Sequence, residues 1–118
     1  MEGGEAVESI PVRNARHDIL TKVRRMVIKH LAGTPAKAYL FGSWARSEER
    51  RTSDIDIAIE FESHSDTNHR TLMQLRHALE ESTIPYRIDV VDLHEADTHI
   101  IDKVRGEGIL WDDASMRD

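Results

Sequence analysis

The residues Gly42-Ser43, a gap of ten, and then Asp54-Ile55-Asp56 form the pattern in this chain that points most directly to chemistry. Two carboxylates at i and i+2 of a strand leave the same face, their Cα atoms roughly 7 Å apart, and both can bend toward one point. Like charges held so close repel unless a cation sits between them, and hard oxygen donors select Mg²⁺ or Mn²⁺. A third acid on a neighbouring strand would complete a two-metal site for in-line phosphoryl displacement. Asp89, inside Arg87-Ile88-Asp89-Val90-Val91, is the candidate, because an unpaired carboxylate among apolar neighbours is costly. Gly42 lets the backbone turn sharply toward a phosphate, to which the Ser43 hydroxyl and the turn amides would donate. The chain has no GxxxxGK[ST], so a P-loop is excluded.

The elements that must position these groups follow from periodicity. Ile19, Leu20, Val23, Met26, Val27, Ile28 and Leu31 recur at helical spacing in a helix from about Val12, ended by Gly33-Thr34-Pro35. Ala36 to Phe41 reads as a strand running straight into Gly42-Ser43. After a charged connection from Trp44 to Thr52, with one helical turn, Asp54 to Phe61 alternates strictly: Ile55, Ile57, Ile59 and Phe61 on one face, Asp54, Asp56, Ala58 and Glu60 on the other. Ser63 to Asn68 is a polar loop, followed to Ser82 by a helix with Leu72, Leu75, Ala78 and Leu79 inward. Tyr86 to Leu93 gives a third strand and Glu95 to Arg105 a third helix, broken by Gly106 and Gly108 before a short edge strand at Ile109-Leu110-Trp111. The order implies an α/β (α+β) fold, a small mixed sheet with helices packed on one face. One domain spans residues 10–113, between flexible tails at 1–9 and 114–118.

The run Phe41-Gly42-Ser43-Trp44-Ala45-Arg46 through Ser53-Asp54-Ile55-Asp56-Ile57 resembles the signature of the DNA polymerase beta nucleotidyltransferase superfamily, and the chain's size points to its minimal branch. The resemblance covers about residues 13–111. It implies the palm-like nucleotidyltransferase fold, with Asp54, Asp56 and Asp89 holding two Mg²⁺ ions (or Mn²⁺). Asp89 would also position or deprotonate the attacking hydroxyl, and Gly42 and Ser43 would hold a triphosphate. The implied reaction moves AMP from ATP to an acceptor hydroxyl. Minimal members are paired with HEPN-domain toxins, so the resemblance implies an antitoxin that adenylylates a tyrosine of its toxin, or one that neutralises it by contact alone. The family often has Gly after the Ala-Arg pair, where this chain has Ser47. That departure bears on the shape of the loop.

Other residues carry weaker signals. Arg46 reaches toward a triphosphate in one reading, as do Arg50 and Arg51; in the other, they pair with Glu48 and Glu49 in a solvated loop. Asp89 has the alternative of a salt bridge to Arg87. His64 and His69, or His94 and His99, fit no metal spacing and read as surface histidines. Arg13, Arg16, Lys22, Arg24, Arg25 and Lys29 against Asp18 make the first helix basic, a solvated face before it is a nucleic-acid reader. A DNA-binding autoregulator is the weakest reading.

Composition sets the outer bounds. A length of 118 residues suits one domain, and 39% hydrophobic with 32% charged residues fits a folded globule. A net charge of -6 argues against a general polyanion binder. The absence of cysteine excludes disulfides, zinc thiolates and thiol nucleophiles. No apolar run is long enough for a membrane span, so a cytoplasmic protein is expected, small enough to leave room for a homodimer.

Overall fold

The computed structural model describes residues 3–113, with side chains from residue 15 onward. The tail expected at 114–118 lies outside the described residues, as do the first two residues of the one expected at 1–9. The chain runs α1 (Gly3–Leu31), β1 (Ala36–Phe41), β2 (Ile55–Phe61), α2 (Asp66–Glu80), β3 (Ile88–Asp92), α3 (Thr98–Glu107) and β4 (Ile109–Asp113). Helix α1 therefore starts well before the Val12 that periodicity suggests, since its opening residues lack an apolar stripe to announce it.

The four strands form one mixed sheet in the order β3-β2-β1-β4. Strand β1 pairs antiparallel with β2 and β4, while β2 and β3 run parallel. The alternation expected in β2 holds: Ile55, Ile57 and Ile59 are fully buried on one face. Against them pack Val23, Val27 and Leu31 of α1 and Leu72, Leu75 and Leu79 of α2. Burying each such side chain contributes about 1.5–3 kcal/mol, so this layer carries most of the stability.

Helix α3 departs from the expectation of helices on one face. Its Val104 joins Phe41, Ala58 and Leu93 in a second buried cluster on the opposite side of the sheet. The reason is topological. The chain leaves β3 at one edge and must reach β4 at the other, and the first face is already filled by α1 and α2. Arg105 of α3 pairs there with Glu60 of β2, whose carboxylate also accepts from the Tyr39 hydroxyl at 3.1 Å. The Arg105 hydrogen bond holds Glu60 below the usual carboxylate range.

Two helix boundaries also differ from expectation. Helix α2 begins earlier than expected because Ser65 caps it, its hydroxyl accepting from the Asn68 amide at 3.1 Å. Helix α3 starts later, capped by Asp97, and runs through Gly106 to Glu107. Gly108 ends it, donating its amide to the Val104 carbonyl at 2.9 Å. A glycine in a final turn costs too little to stop a helix one residue early. The consequence is that Glu107 becomes the last residue of α3, facing the end of β1.

Candidate active site

The site lies where β1 ends and β2 begins. Gly42 turns the chain with φ +78°, a conformation open to glycine and strained for other residues. A turn follows in which Ala45 and Arg46 both donate to the Gly42 carbonyl, at 3.1 and 3.2 Å, and Glu48 donates to the Ser43 carbonyl at 2.9 Å. This is the single helical turn expected after the Gly-Ser pair. The Ser43 hydroxyl makes no hydrogen bond within the described residues and is partly exposed.

Asp54 immediately precedes β2, and Ser53 holds the approach through a 2.8 Å hydrogen bond from the Arg50 amide to its hydroxyl. Asp56 is opposite Phe41 in the antiparallel register with β1 and opposite Asp89 in the parallel register with β3. Adjacent strands lie about 4.8 Å apart, so Asp56 and Asp89 leave one face as neighbours. The Ile55 amide, donating to the Arg87 carbonyl at 2.9 Å, fixes that register where it matters. Asp89 is exposed and has no ion pair with Arg87 among the described residues.

Electrostatics couple Asp56 to its neighbours. Burial first, then the charges of Asp89 and Asp54, push the Asp56 carboxyl up to about 6; Glu107 adds to the effect and Lys103 opposes it. Lys103 forms no ion pair with Asp56 among the described residues. Asp56 also lies against Gly42, where an ideal Cβ would stand 3.1 Å from its Cγ. Asp56 and Asp89 thus share a face beside the Gly42 turn and Asp54 stands at the entry to β2, but the ligand atoms of the three do not all lie within 4.8 Å of one another; their donors are hard oxygens, a set that suits a divalent cation.

A different cluster has its metal-ligating atoms closest together. His64, Asp92 and Glu95 have ligand atoms all within 4.8 Å of one another, alone among the described residues. Asp92 sits three residues farther along β3 than Asp89, roughly 10 Å by strand geometry, while His64 follows β2 and Glu95 follows β3. Sequence spacing pairs His64 with His69 and His94 with His99, so it misses this group, which the fold assembles from a loop and a strand end.

Arg46 is held by two carboxylates, Glu48 at 2.9 Å and Glu107 at 2.9 Å. Glu49 instead pairs with Arg16 of α1, whose guanidinium also donates to the Trp44 carbonyl at 2.8 Å. The Trp44 ring is buried, its Nε1 donating to the Ser53 carbonyl at 3.3 Å and its edge meeting Tyr86 at 5.0 Å between centroids. Trp44 and Arg16 therefore pin the loop joining the two halves of the motif, a role that a loop position and a helix cation gave no sign of. Ser47 sits in this loop at φ +58°, the left-handed region that favours glycine. The loop keeps the shape a glycine would ease.

The chain resembles known proteins over most of its length. Residues 23–113 match the family described as polymerase beta nucleotidyltransferase. A protein of Methanocaldococcus jannaschii that bears the name of a protein adenylyltransferase is 30% identical over 79% of this chain and 94% of its own length. Among solved structures, a chain of a toxin–antitoxin complex with AMP-PNP is 28% identical, with a TM-score of 0.56 over 76% of this chain and 73% of its own. A chain of the MntA–HepT toxin–antitoxin complex is 26% identical, with a TM-score of 0.52 over 79% and 72%.

Proposed function

Because the chain belongs to the polymerase beta nucleotidyltransferase family, we propose that it transfers AMP from ATP to a tyrosine hydroxyl of a HEPN toxin and so serves as that toxin's antitoxin. The observation that carries this reading is the register of Asp56 against Asp89, on one face beside the Gly42 turn. It is supported by the adenylyltransferase relative and by the toxin–antitoxin complexes that the chain resembles.

Asp54, Asp56 and Asp89 would hold two Mg²⁺ ions, which when bound neutralise charge on the phosphates and on the attacking oxygen. The protein's own contribution is positioning. The Gly42-Ser43 turn offers amides and a free hydroxyl to the β- and γ-phosphates, and the missing Cβ lets the chain lie close beside Asp56. Asp89, exposed at the edge strand, takes the proton of the incoming hydroxyl as its oxygen attacks the α-phosphorus. The bond from that phosphorus to the bridging oxygen breaks, and pyrophosphate leaves. Rate enhancement then comes chiefly from alignment and charge neutralisation.

The test is to incubate the protein with labelled ATP, Mg²⁺ and the protein of the adjoining reading frame. Label on a partner tyrosine, reduced to background by Asp54→Asn and by Asp56→Asn, is the expected result. Full protection from the toxin in cells by those same variants would instead make the chain an antitoxin that acts by contact, with no use for transfer.

A further inference from the structure

Glu107 occupies the place where an anion would bind beside the Gly42 turn. Its Oε2 accepts the Gly42 amide at 2.8 Å and the Arg46 guanidinium at 2.9 Å. A backbone amide at a sharp glycine turn and an arginine converging on one oxygen make an anion slot. The occupant here is a carboxylate from the far end of α3, carried there because that helix continues through Gly106.

We propose that Glu107 is the internal stand-in for the triphosphate: a nucleotide must displace it from Gly42 and Arg46 to bind, and it returns as pyrophosphate leaves. This deepens the nucleotidyltransferase reading and rests on it. Three observations favour displacement over a fixed structural role. Glu107 terminates its helix, so its side chain can swing away without disturbing the buried Val104. Arg46 keeps a second partner, Glu48, and stays oriented when Glu107 departs. Glu107 also fills the same two donors, the Gly42 amide and the Arg46 guanidinium, that a phosphate oxygen would need, so both do not fit together. Glu107 is accordingly a residue that sets affinity for the polyphosphate part of the nucleotide and speeds release of pyrophosphate.

Calorimetric titration of wild type and Glu107→Gln with ATP, pyrophosphate and adenosine, each with Mg²⁺, tests the idea. Glutamine keeps the length and an acceptor for Gly42 but gives up the charge that Arg46 holds. The variant should bind ATP and pyrophosphate about 2–5-fold more tightly, with adenosine unchanged, and its KM for ATP should fall while inhibition by pyrophosphate strengthens. Glu48→Gln, which leaves the Gly42 amide covered, should shift these constants far less. A thermal melt confirms that the variants are folded, and Glu107→Ala gives an independent reading if the glutamine itself blocks the slot. Equal or weaker ATP binding in both Glu107 variants, with wild type binding ATP, overturns the stand-in. Failure of wild type and variants alike to bind ATP overturns the nucleotidyltransferase reading beneath it.

Discussion

The α-carbon of Gly42 faces the Asp56 carboxyl so closely that no side chain fits between them: an ideal Cβ would lie 3.1 Å from Asp56 Cγ and nearer still to one oxygen. One glycine thus serves two needs, the φ of +78° that turns the chain and the space that the second carboxylate of the motif occupies.

Replacement of Gly42 by alanine should accordingly lose both stability and activity. A left-handed conformation costs a residue with a Cβ about 1–2 kcal/mol, and displacement of Asp56 adds to it. A melting temperature lowered by several degrees, with ATP binding lost, is expected. An unchanged melt would show that the turn relaxes freely.

The raised Asp56 carboxyl sets a sign for stability against pH. Its folded value of about 6 lies above its ordinary 3.8, so the folded chain holds a proton that the unfolded chain releases. The stability this group contributes is full below about pH 4 and lost as pH rises through 6. Discounted for its partial exposure, the effect is about 1 kcal/mol. Asp56→Asn should therefore melt a few degrees higher than wild type at pH 7.5, and the gap should close near pH 4. A variant less stable than wild type at pH 7.5 refutes the charge crowding.

Cation binding should follow the same group. A protonated carboxyl is a poor ligand, so Mg²⁺ or Mn²⁺ affinity should fall below about pH 6, approaching tenfold per pH unit. Titration of Mn²⁺ by paramagnetic relaxation at pH 5 and pH 7.5 measures this. Equal affinity at the two values would place the cation away from Asp56.

Ser47 offers a substitution that should strengthen the fold. At φ +58° it bears strain that glycine would not, and its hydroxyl has only a 3.4 Å contact from Arg16. Ser47→Gly should gain about 0.5–1 kcal/mol, read by urea denaturation. A loss would mean that the Arg16 contact outweighs the backbone term.

Trp44→Ala should be the most damaging change in the loop, costing about 3–5 kcal/mol through its buried ring. Trp44→Phe keeps most of the packing with Tyr86 but loses the hydrogen bond to Ser53, so it should separate packing from loop anchoring. If Trp44→Ala melts like wild type, the ring does not hold the two motif halves together.

What could be read along the chain was what is local. The period of two in Ile55–Phe61 told which side chains of β2 point inward and put Asp56 on the face away from the isoleucines, with Asp54 just before the strand. The Gly42-Ser43 turn was legible because only glycine adopts that φ cheaply, whereas the burial cost that singled out Asp89 does not operate, since its side chain is exposed. Three-dimensional packing decided the remainder. The stripe of Ile100 and Val104 says that α3 buries one side, yet nothing in it names the face of the sheet. That choice was made by α1 and α2, which had already covered the other. Glu107 meets Gly42 across 65 residues, and His64 meets Asp92 and Glu95 from another loop. Periodicity reports which way a side chain leaves its own element; which distant group it then meets depends on how whole elements pack, and no short-range pattern records that.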